Sequence, residues 1–272
     1  MGTLSELWTT ERVWVVPEGW RQGRGAWGGL VTGQVVTAAS VNLPDPRLTP
    51  RNLWVAMLGP VPAGEVECRV TDLRVGRSTL ARQVELVSSA GDLLTRATVE
   101  FGAPRAQTVV SDPPAQPPDP APTPAQWVAL GPPLAPEFTP RLRFAPAVGF
   151  PFSGGTELVT AGWISLADED DEELSPAVIA ALADAWWTTS IVGLGFDPGA
   201  GAPPPVATLD FVLSFPQAPL PEPDIWRTGL WHTGRVLGGQ QGYLTEVRTL
   251  HSPAGRLLAV NTQLQTVGRA GD

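Results

Sequence analysis

The sequence predicts an α+β protein made of two similar halves, each with one buried helix and an antiparallel sheet. The first observation is an internal repeat, in which residues 80–94 align with residues 244–258 without a gap, at an offset of 164 residues. Identical residues at this offset are Leu80 and Leu244, Leu86 and Leu250, Ser88 and Ser252, Ala90 and Ala254, Gly91 and Gly255, and the Leu-Leu pairs at 93–94 and 257–258. The second observation is the segment 113–140, which holds 11 of the 30 prolines and predicts a stiff, extended connector. We therefore expect domains at residues 1–110 and 141–272, joined by a Pro-rich linker at 111–140.

In the first half, the run GGLVTGQVVTAAS at 28–40 predicts a helix that is opened by glycines. Three strands follow as a meander at 65–75, 78–88 and 92–101, each bounded by turn residues. In the last of these strands, apolar or small residues alternate with polar ones, which places Val99 on a buried face.

In the second half, Ser175 is a helix N-cap and Pro176 a first helical residue, so the following run AVIAALADAWW predicts a helix that reaches Trp187. The run is apolar on nearly every side, which indicates a helix wrapped by protein. The acidic residues 168–173 place negative charge near the positive end of this helix. They are otherwise expected to form a solvated loop.

The composition excludes several chemistries. All 18 basic residues are Arg and the formal net charge is −9. Without Lys the chain has no residue for a Schiff base with pyridoxal phosphate and no Lys for a phosphate loop, and the negative charge disfavours nucleic acid. The single Cys68, with His232 and His251, cannot form an internal disulfide or a Cys/His zinc cluster. We therefore expect no metal and no cofactor.

Other local patterns are weak or negative. The start of the chain lacks a signal-peptide pattern and no window approaches the roughly 18 apolar residues of a membrane helix, so we expect a cytoplasmic protein. GRGAWG at 23–28 fits the dinucleotide pattern G-x-G-x-x-G, but no short βαβ unit follows it. GRSTL around Ser78 lacks the second Gly of G-x-S-x-G, which disfavours an α/β-hydrolase. His251, in the turn HSPAG, is expected to be solvated.

Several stretches together carry a family resemblance. They are GRGAWGGLVTGQVVTAA, LWVAMLGPVPAG and LRVGRS in the first half, and LADAWW, ATLDF and GRLLAVNTQL in the second. In this order they resemble the acyl-CoA thioesterase II type of double-hotdog proteins, over nearly the whole chain outside the Pro-rich segment. The resemblance implies that each half is a hotdog domain, an antiparallel sheet curled around a central helix, and that the halves pair as two subunits do in single-hotdog relatives. It also implies hydrolysis of acyl-CoA thioesters in fatty acid metabolism.

The family's catalytic set of Asp, Thr and Gln falls on Asp184 in LADAWW, Thr208 in ATLDF and Gln263 in NTQLQ. Gln265 lies two residues further on the same strand face, so the amide of the site is either Gln263 or Gln265. Hydratases of the hotdog superfamily use a His with a carboxylate, and neither His of this chain lies in such a motif. Hydrolysis is therefore favoured over hydration or dehydration.

The residue types themselves suit this chemistry. Asp184 is the only ionisable residue of an apolar helix, and a buried carboxylate can orient a water molecule and accept its proton, with Thr208 and Gln263 holding that water. The repeat places Gln263 on Val99, so an amide stands where the first half has core, unless the opposite strand face is the core face. The residues of that opposite face are Leu258, Val260, Thr262 and Leu264. We expect Gln263→Leu to keep or raise the melting temperature, because an imperfectly satisfied amide is replaced by an apolar group.

Substrate-binding residues are expected near the start of the first helix and the end of the second. N–H groups of Gly28 and Gly29 are candidate donors to the carbonyl oxygen, and Trp27, Trp186 and Trp187 are candidates for lining the pocket. The expected partner is an acyl-CoA substrate, with neither nucleic acid nor membrane, and a homodimer of double hotdogs is left open. The alternative function is a non-catalytic acyl-binding or scaffold protein with the same fold.

Overall fold

A large antiparallel sheet with few helices is the architecture of the described residues. The computed structural model describes residues 3–106, 126–167, 172–195, 204–216 and 225–268. Its α-helices are α1 (Gly28–Ala39), α2 (Pro176–Ala183) and α3 (Ile225–Thr228). Its strands are β1 (Val13–Val16), β2 (Arg21–Gln22), β3 (Gly25–Ala26), β4 (Thr49–Met57), β5 (Gly64–Val75), β6 (Thr79–Ser88), β7 (Leu93–Gly102), β8 (Leu142–Val148), β9 (Val159–Leu166), β10 (Val206–Ser214), β11 (Leu230–Gln240), β12 (Tyr243–His251) and β13 (Leu257–Val267).

Eleven of these strands form one sheet in the order β1-β5-β6-β7-β4-β10-β13-β12-β11-β9-β8, while β2 pairs with β3 alone. The two halves meet at the centre of the sheet, where β4 pairs with β10 and Val55 lies opposite Phe211. We call this pairing of β4 with β10 the central seam. Because the seam is an ordinary antiparallel strand pair, backbone hydrogen bonding continues from one half into the other.

Residues that correspond in the sequence repeat also occupy corresponding positions in the strand pairs β6–β7 and β12–β13. Arg82 on β6 lies opposite Val99 on β7, and Glu246 on β12 lies opposite Gln263 on β13, at the same offset of 164 residues. Val99 and Gln263 are both 0% exposed. The Gln263 face of β13 is therefore a core face, whereas the residues of the opposite face between 260 and 264 are partly exposed. The alternative assignment of the core to that opposite face is wrong for Val260, Thr262 and Leu264, whereas Leu258 is a core residue.

The helices α1 and α2 lie against each other and against the sheet. Nearly all of their residues are buried, as their apolar sequences predict. The hydroxyl of Thr32 on α1 reaches the carbonyl oxygen of Ala180 on α2 at 3.2 Å. The start of α1 and the end of α2 are thereby brought together beneath the sheet.

The second helix ends earlier than the sequence predicts. Ser175 caps its start as expected, accepting the N–H of Val178 at 3.3 Å, but α2 stops at Ala183 and not at Trp187. Arg248 on β12 donates to the carbonyl oxygens of Ala183 at 3.4 Å and Trp186 at 3.3 Å. The last carbonyls of a helix have no N–H partner within the helix, so a side chain from the sheet satisfies the carbonyls at this end of α2.

The described part of the predicted connector, residues 126–140, is folded in turns and is not extended. Val128 forms a bridge with Phe144 on β8, and the Phe138 ring stacks on Trp27 with centroids 4.4 Å apart. The backbone bridge of Val128 and the ring of Phe138 hold the segment against both halves, which the proline count did not indicate. The other connector residues, 111–125, lie outside the described residues, and the domain boundaries remain predictions.

The acidic stretch before α2 is only partly described, because residues 168–171 lie outside the described ranges. Glu172 is buried, and its Oε2 accepts the N–H of Ser5 at 3.0 Å. The expectation of a solvated loop is wrong for this residue, because the N-terminal segment covers it. Within the ranges that the structure describes, every helix is too short or too polar to cross a membrane.

Candidate active site

Asp184 is the first residue after α2 and lies where that helix meets the start of α1. Its Oδ1 accepts a hydrogen bond from Gln263 Nε2 at 3.3 Å, and the N–H of Gly29 also donates to the carboxylate. The carbonyl oxygen of Asp184 accepts from Trp27 Nε1 at 3.3 Å. The residue is therefore held by α1 from the first half and by β13 from the second.

Burial raises the pKa of Asp184 from its ordinary value of 3.8 to about 6. The positive charge of Arg248 and the hydrogen bonds from Gln263 and Gly29 oppose this rise, while the negative charge of Glu246 adds to it. A carboxylate with this pKa is ionised at neutral pH and basic enough to take a proton. These are the properties that a general base requires.

The Gln263 amide uses every hydrogen-bonding position that it has. Nε2 donates to Asp184 Oδ1 and to Asn261 Oδ1, the latter at 2.9 Å. Oε1 accepts from Thr208 Oγ1 at 2.8 Å and from Gln265 Nε2 at 3.1 Å. A primary amide has two donor hydrogens and two acceptor lone pairs, so none is left over. The expectation that this amide is imperfectly satisfied is wrong, because Asp184 and residues of β10 and β13 supply its partners.

The Asp184 carboxylate dictates which way the neighbouring amides point. An ionised carboxylate only accepts, so Gln263 turns its NH₂ group toward Asp184 and its oxygen toward Gln265. Gln265 presents its NH₂ group to Gln263 and its oxygen to Thr188, whose hydroxyl donates at 2.6 Å. The order of this amide chain, Thr188 to Gln265 to Gln263, places Gln263 in contact with Asp184 and Gln265 one step behind it.

Thr208 lies at a β-bulge near the start of β10. The register of β10 against β13 shifts between Thr208 and Asp210, and bulges of this kind re-aim side chains. Asp210 Oδ1 accepts the N–H of Leu264 at 2.9 Å and so replaces a ladder bond that the bulge interrupts. The partly exposed Thr208 donates its hydroxyl hydrogen to Gln263.

Gly28 and Gly29 allow the start of α1 to approach Asp184 closely. A Cβ atom on Gly28 would lie 2.6 Å from Asp184 Oδ2, and one on Gly29 would lie 2.5 Å from the carbonyl oxygen of Ala181. The N–H of Gly29 points to the Asp184 carboxylate, and the role of Gly29 as a donor to the substrate stays a prediction.

Of the three predicted pocket tryptophans, two are core residues. Trp27 is 0% exposed and stacks between Trp20 and Phe138. Trp186 is also buried and stacks on His232, with centroids 4.9 Å apart. Trp187 is partly exposed and donates from Nε1 to the carbonyl oxygen of Gly149 at 3.1 Å. Trp187 alone of the three keeps a surface that a ligand could contact.

The site contains a buried ion pair that the sequence reasoning missed. Arg248 Nε donates to Glu246 Oε1 at 2.8 Å, and the side chains are 3% and 0% exposed. Glu246 also accepts from the hydroxyl of Thr189 at 2.6 Å and from its N–H at 3.1 Å. The repeat held a signal for Arg248, since the offset places it on Val84 and so puts a charge where the first half has core.

Both histidines are buried, and His232 lies close enough to Arg248 for the charge of that residue to act on it. Desolvation lowers the pKa of His232 well below its ordinary value of 6.5, and it also lowers the pKa of His251. The expectation that His251 is a solvated turn residue is wrong, because it ends β12 and is covered. Both side chains are therefore neutral near pH 7. In the described ranges, no group of three or more His, Cys, Asp or Glu side chains could hold a metal ion.

Two family profiles match the chain. The acyl-CoA thioesterase N-terminal domain matches residues 16–102, and the acyl-CoA thioesterase C-terminal domain matches residues 111–267. A search of curated protein sequences gives no match. The two profiles follow each other in the order of the internal repeat, one on each half.

Solved structures share the fold of this chain. A hot dog fold protein of unknown function from Alicyclobacillus acidocaldarius has a TM-score of 0.78 at 24% identity, over 94% of this chain and 92% of that one. The tesB protein of Mycobacterium avium subsp. paratuberculosis has a TM-score of 0.71 at 17% identity, over 94% and 92%. An acyl-CoA thioesterase II, TesB2, from Mycobacterium marinum has a TM-score of 0.63 at 20% identity, over 90% of each chain. These likenesses show a hotdog fold, and because the two domain profiles together cover most of the sequence, the chain belongs to the acyl-CoA thioesterase family and carries both domains of a thioesterase enzyme.

Proposed function

We propose that this chain hydrolyses acyl-CoA thioesters to a free acid and CoA, with a water molecule activated by Asp184, Thr208 and Gln263. The observation that carries the proposal is the set of hydrogen bonds that ends on Asp184, a carboxylate with a pKa of about 6. The thioesterase domains supply the class of substrate. The residues supply a base and a means of orienting water.

The architecture that we propose is a double hotdog of two tandem domains, 1–110 and 141–272. The strand orders support it, because β1-β5-β6-β7-β4 in the first half corresponds to β9-β11-β12-β13-β10 in the second. Each set has its own helix, α1 or α2, and the two sets meet at the central seam in the way that two subunits would. Only the second set carries the amide chain and the ion pair.

The water is proposed to lie between Asp184 and Thr208. Thr208 donates its only hydroxyl hydrogen to Gln263, so toward a ligand its oxygen acts as an acceptor. A water that gives one hydrogen to Thr208 and one to Asp184 keeps a lone pair for the carbonyl carbon of the thioester. As the new C–O bond forms, Asp184 takes the proton, and as the C–S bond breaks, the proton passes to the sulfur of CoA.

The carbonyl oxygen of the thioester becomes negative during this attack and needs a hydrogen-bond donor. The first N–H groups of a helix have no acceptor within the helix. Since Gly29 donates to Asp184, the proposed donor is the N–H of Gly28, a partly exposed residue beside the carboxylate. Trp187 is the proposed aromatic contact for the acyl group.

A panel of acyl-CoA substrates from acetyl to palmitoyl, with released thiol as the readout, tests the proposal. Asp184→Asn is expected to keep the fold and lose about 10²- to 10⁴-fold in kcat, the usual effect of removing a general base. Asp210→Asn is the matched control and should retain activity, because an Asn oxygen can still accept the N–H of Leu264.

Near-normal kcat in Asp184→Asn would remove Asp184 from the mechanism. A wild-type protein that releases thiol from no member of the panel would reject hydrolysis of acyl-CoA. Binding of an acyl-CoA without turnover would then favour the non-catalytic alternative.

A further inference from the structure

We propose that Arg248 is a positioning residue for the reaction, which holds the Asp184 carboxylate in place by binding the backbone on both sides of it. The inference rests on the proposed function, in which Asp184 is the base. Arg248 acts through the main chain that carries Asp184 and has no need to touch the substrate.

The Arg248 guanidinium bridges the turn that follows α2. Its Nη1 donates to the carbonyl oxygens of Ala183 and Trp186, and Asp184 lies between these two residues. The last carbonyls of a helix have no donor within the helix, and a cationic side chain at that end both satisfies them and interacts favourably with the helix dipole. One side chain thereby fixes the turn from which the Asp184 carboxylate extends.

Glu246 holds Arg248 in this position. Its Oε1 accepts from Arg248 Nε and from the Thr189 hydroxyl, and its Oε2 accepts the Thr189 N–H. Oε2 also lies 3.1 Å from the hydroxyl of Thr188, where the amide chain to Gln263 begins. A buried ion pair is commonly no more stabilising than apolar residues of the same volume. This pair contacts the turn that carries Asp184 and lies next to Thr188, where the amide chain begins. Its location therefore points to a role in the site.

The first half contains an arginine that also binds the end of a helix but lies away from the proposed catalytic residues. Arg82 on β6 is buried, donates from Nη1 to the carbonyl oxygen of Ala39 at the end of α1, at 2.9 Å, and pairs with Asp72 at 2.6 Å. In the repeat, Arg82 corresponds to Glu246, so the two arginines reach their helix ends from different register positions. Loss of Arg82 removes helix-end hydrogen bonds far from any proposed catalytic residue.

Charge gives the proposal a second consequence. Among the described residues, the charged groups that act on Asp184 are Arg248 and Glu246, both on β12. The other elements around it contribute neutral groups. These are N–H groups from α1, a hydroxyl from β10, amides from β13, and the neutral His232 on β11. Arg248 lowers the pKa of Asp184, and Glu246 raises it by less. Removing both charges therefore raises this pKa, and because a base acts only when ionised, activity is lost at a higher pH than in the wild type.

Three variants test the proposal. Arg248→Met with Glu246→Gln removes the pair without leaving a single buried charge. Arg248→Lys keeps the positive charge but replaces the planar fork by a point charge that cannot bind both carbonyls and Glu246 together. Arg82→Met is the control. The measurements are kcat and KM against pH, the thermal unfolding temperature, and the pKa of Asp184 by carbon-13 NMR.

We expect the double variant to lose about 10- to 100-fold in kcat, which is the effect of a small misplacement of a reacting group. KM should change little. The acid limb of the pH profile, the range in which activity falls as Asp184 is protonated, should move to higher pH. Arg248→Lys should lose part of kcat and keep the wild-type acid limb. Arg82→Met should lower the unfolding temperature and leave kcat and the pH profile unchanged.

A folded double variant with wild-type kcat and an unchanged Asp184 pKa would overturn the proposal. If the double variant does not fold, wild-type kcat in Arg248→Lys would overturn it. The NMR titration needs no turnover, so it tests the coupling of Arg248 to Asp184 even if the wild-type protein releases no thiol. Failure of the proposed function is thereby distinguished from failure of this inference.

Discussion

The charge state of Asp184 connects the activity of this protein to pH. Its pKa of about 6 predicts that kcat/KM rises as pH increases through about 6 and then levels off, since the base is active only when ionised. A pH profile of thiol release, measured at fixed ionic strength, checks this. A profile that stays flat from about pH 5 to about pH 7 would be inconsistent with Asp184 as the base.

The same carboxylate links stability to pH with the opposite sign from most Asp residues. Because the folded pKa of about 6 lies above the ordinary 3.8, the folded protein binds more protons in this window, and the free energy of unfolding falls as pH rises through it. Asp184→Asn should therefore be more stable than the wild type above pH 6, by at most about 3 kcal/mol, and the difference should vanish near pH 4. Urea unfolding at several pH values measures it, and a difference independent of pH would refute the linkage.

Gln263→Leu is now expected to lower both stability and turnover. The amide loss leaves the buried Asn261 Oδ1 and Gln265 Nε2 without partners, at about 1–3 kcal/mol for each unsatisfied group, and kcat should fall by about 10²- to 10³-fold. Thr262→Val, on the partly exposed opposite face, is the control and should change stability by less than about 0.5 kcal/mol. A melting temperature of Gln263→Leu at or above the wild-type value would restore the original expectation.

At the scale of single residues, the sequence predicted which residues form the site more accurately than it predicted the hydrogen bonds between them. Asp184, Thr208 and Gln263 came from the family resemblance, and the structure brings the three together. Glu246 and Arg248 were missed because charged residues on a strand normally indicate a solvent face. The repeat gives a signal only for Arg248, which falls on the core residue Val84, whereas Glu246 falls on the charged Arg82.

Among the secondary structure elements, those with local signals were predicted closely. The expected helix at 28–40 and strand at 92–101 correspond to α1 at Gly28–Ala39 and β7 at Leu93–Gly102. The end of α2 was not predicted, and the contact that satisfies the carbonyl oxygen of Ala183 comes from Arg248 on a distant strand. The turns at 126–140 were missed for the same kind of reason, since Phe138 is held by a ring on α1's N-cap residue, Trp27.

The contact between the start of α1 and the end of α2 gives a prediction at the scale of the helices. Gly28→Ala places a Cβ atom 2.6 Å from Asp184 Oδ2, and because that oxygen ends a side chain that can move, the carboxylate shifts while the fold remains. We expect about 10- to 100-fold lower kcat with little change in unfolding temperature. Gly238→Ala, where an added Cβ meets nothing within 4 Å, is the control. Equal kcat in the two variants would show that the position of the carboxylate tolerates displacement.

At the scale of the whole molecule, the central seam predicts a single cooperative unfolding transition. The sheet runs through β4 and β10 without a break, and α1 packs on α2, so neither half can unfold without exposing the core of the other. Calorimetry checks this, with a calorimetric enthalpy equal to the van't Hoff enthalpy as the expected result. Two resolved transitions would show that the halves are thermodynamically separate. The sequence indicated two halves but not this pairing, because strand neighbours that are distant in the chain leave no local pattern.

The central seam also makes the protein suited to division into two separately produced halves that are active only together. Gly28 and Gly29 lie on one side of it, and Asp184, Thr208 and Gln263 lie on the other. Two separately produced halves would each expose an unpaired strand, β4 on one and β10 on the other, and strands of this kind seek partners. Only the reunited pair would contain every group that the proposed reaction uses. The rate of thiol release would then be proportional to the number of reunited pairs. If one protein were fused to the first half and its binding partner to the second, this rate would measure the association of the two fused proteins.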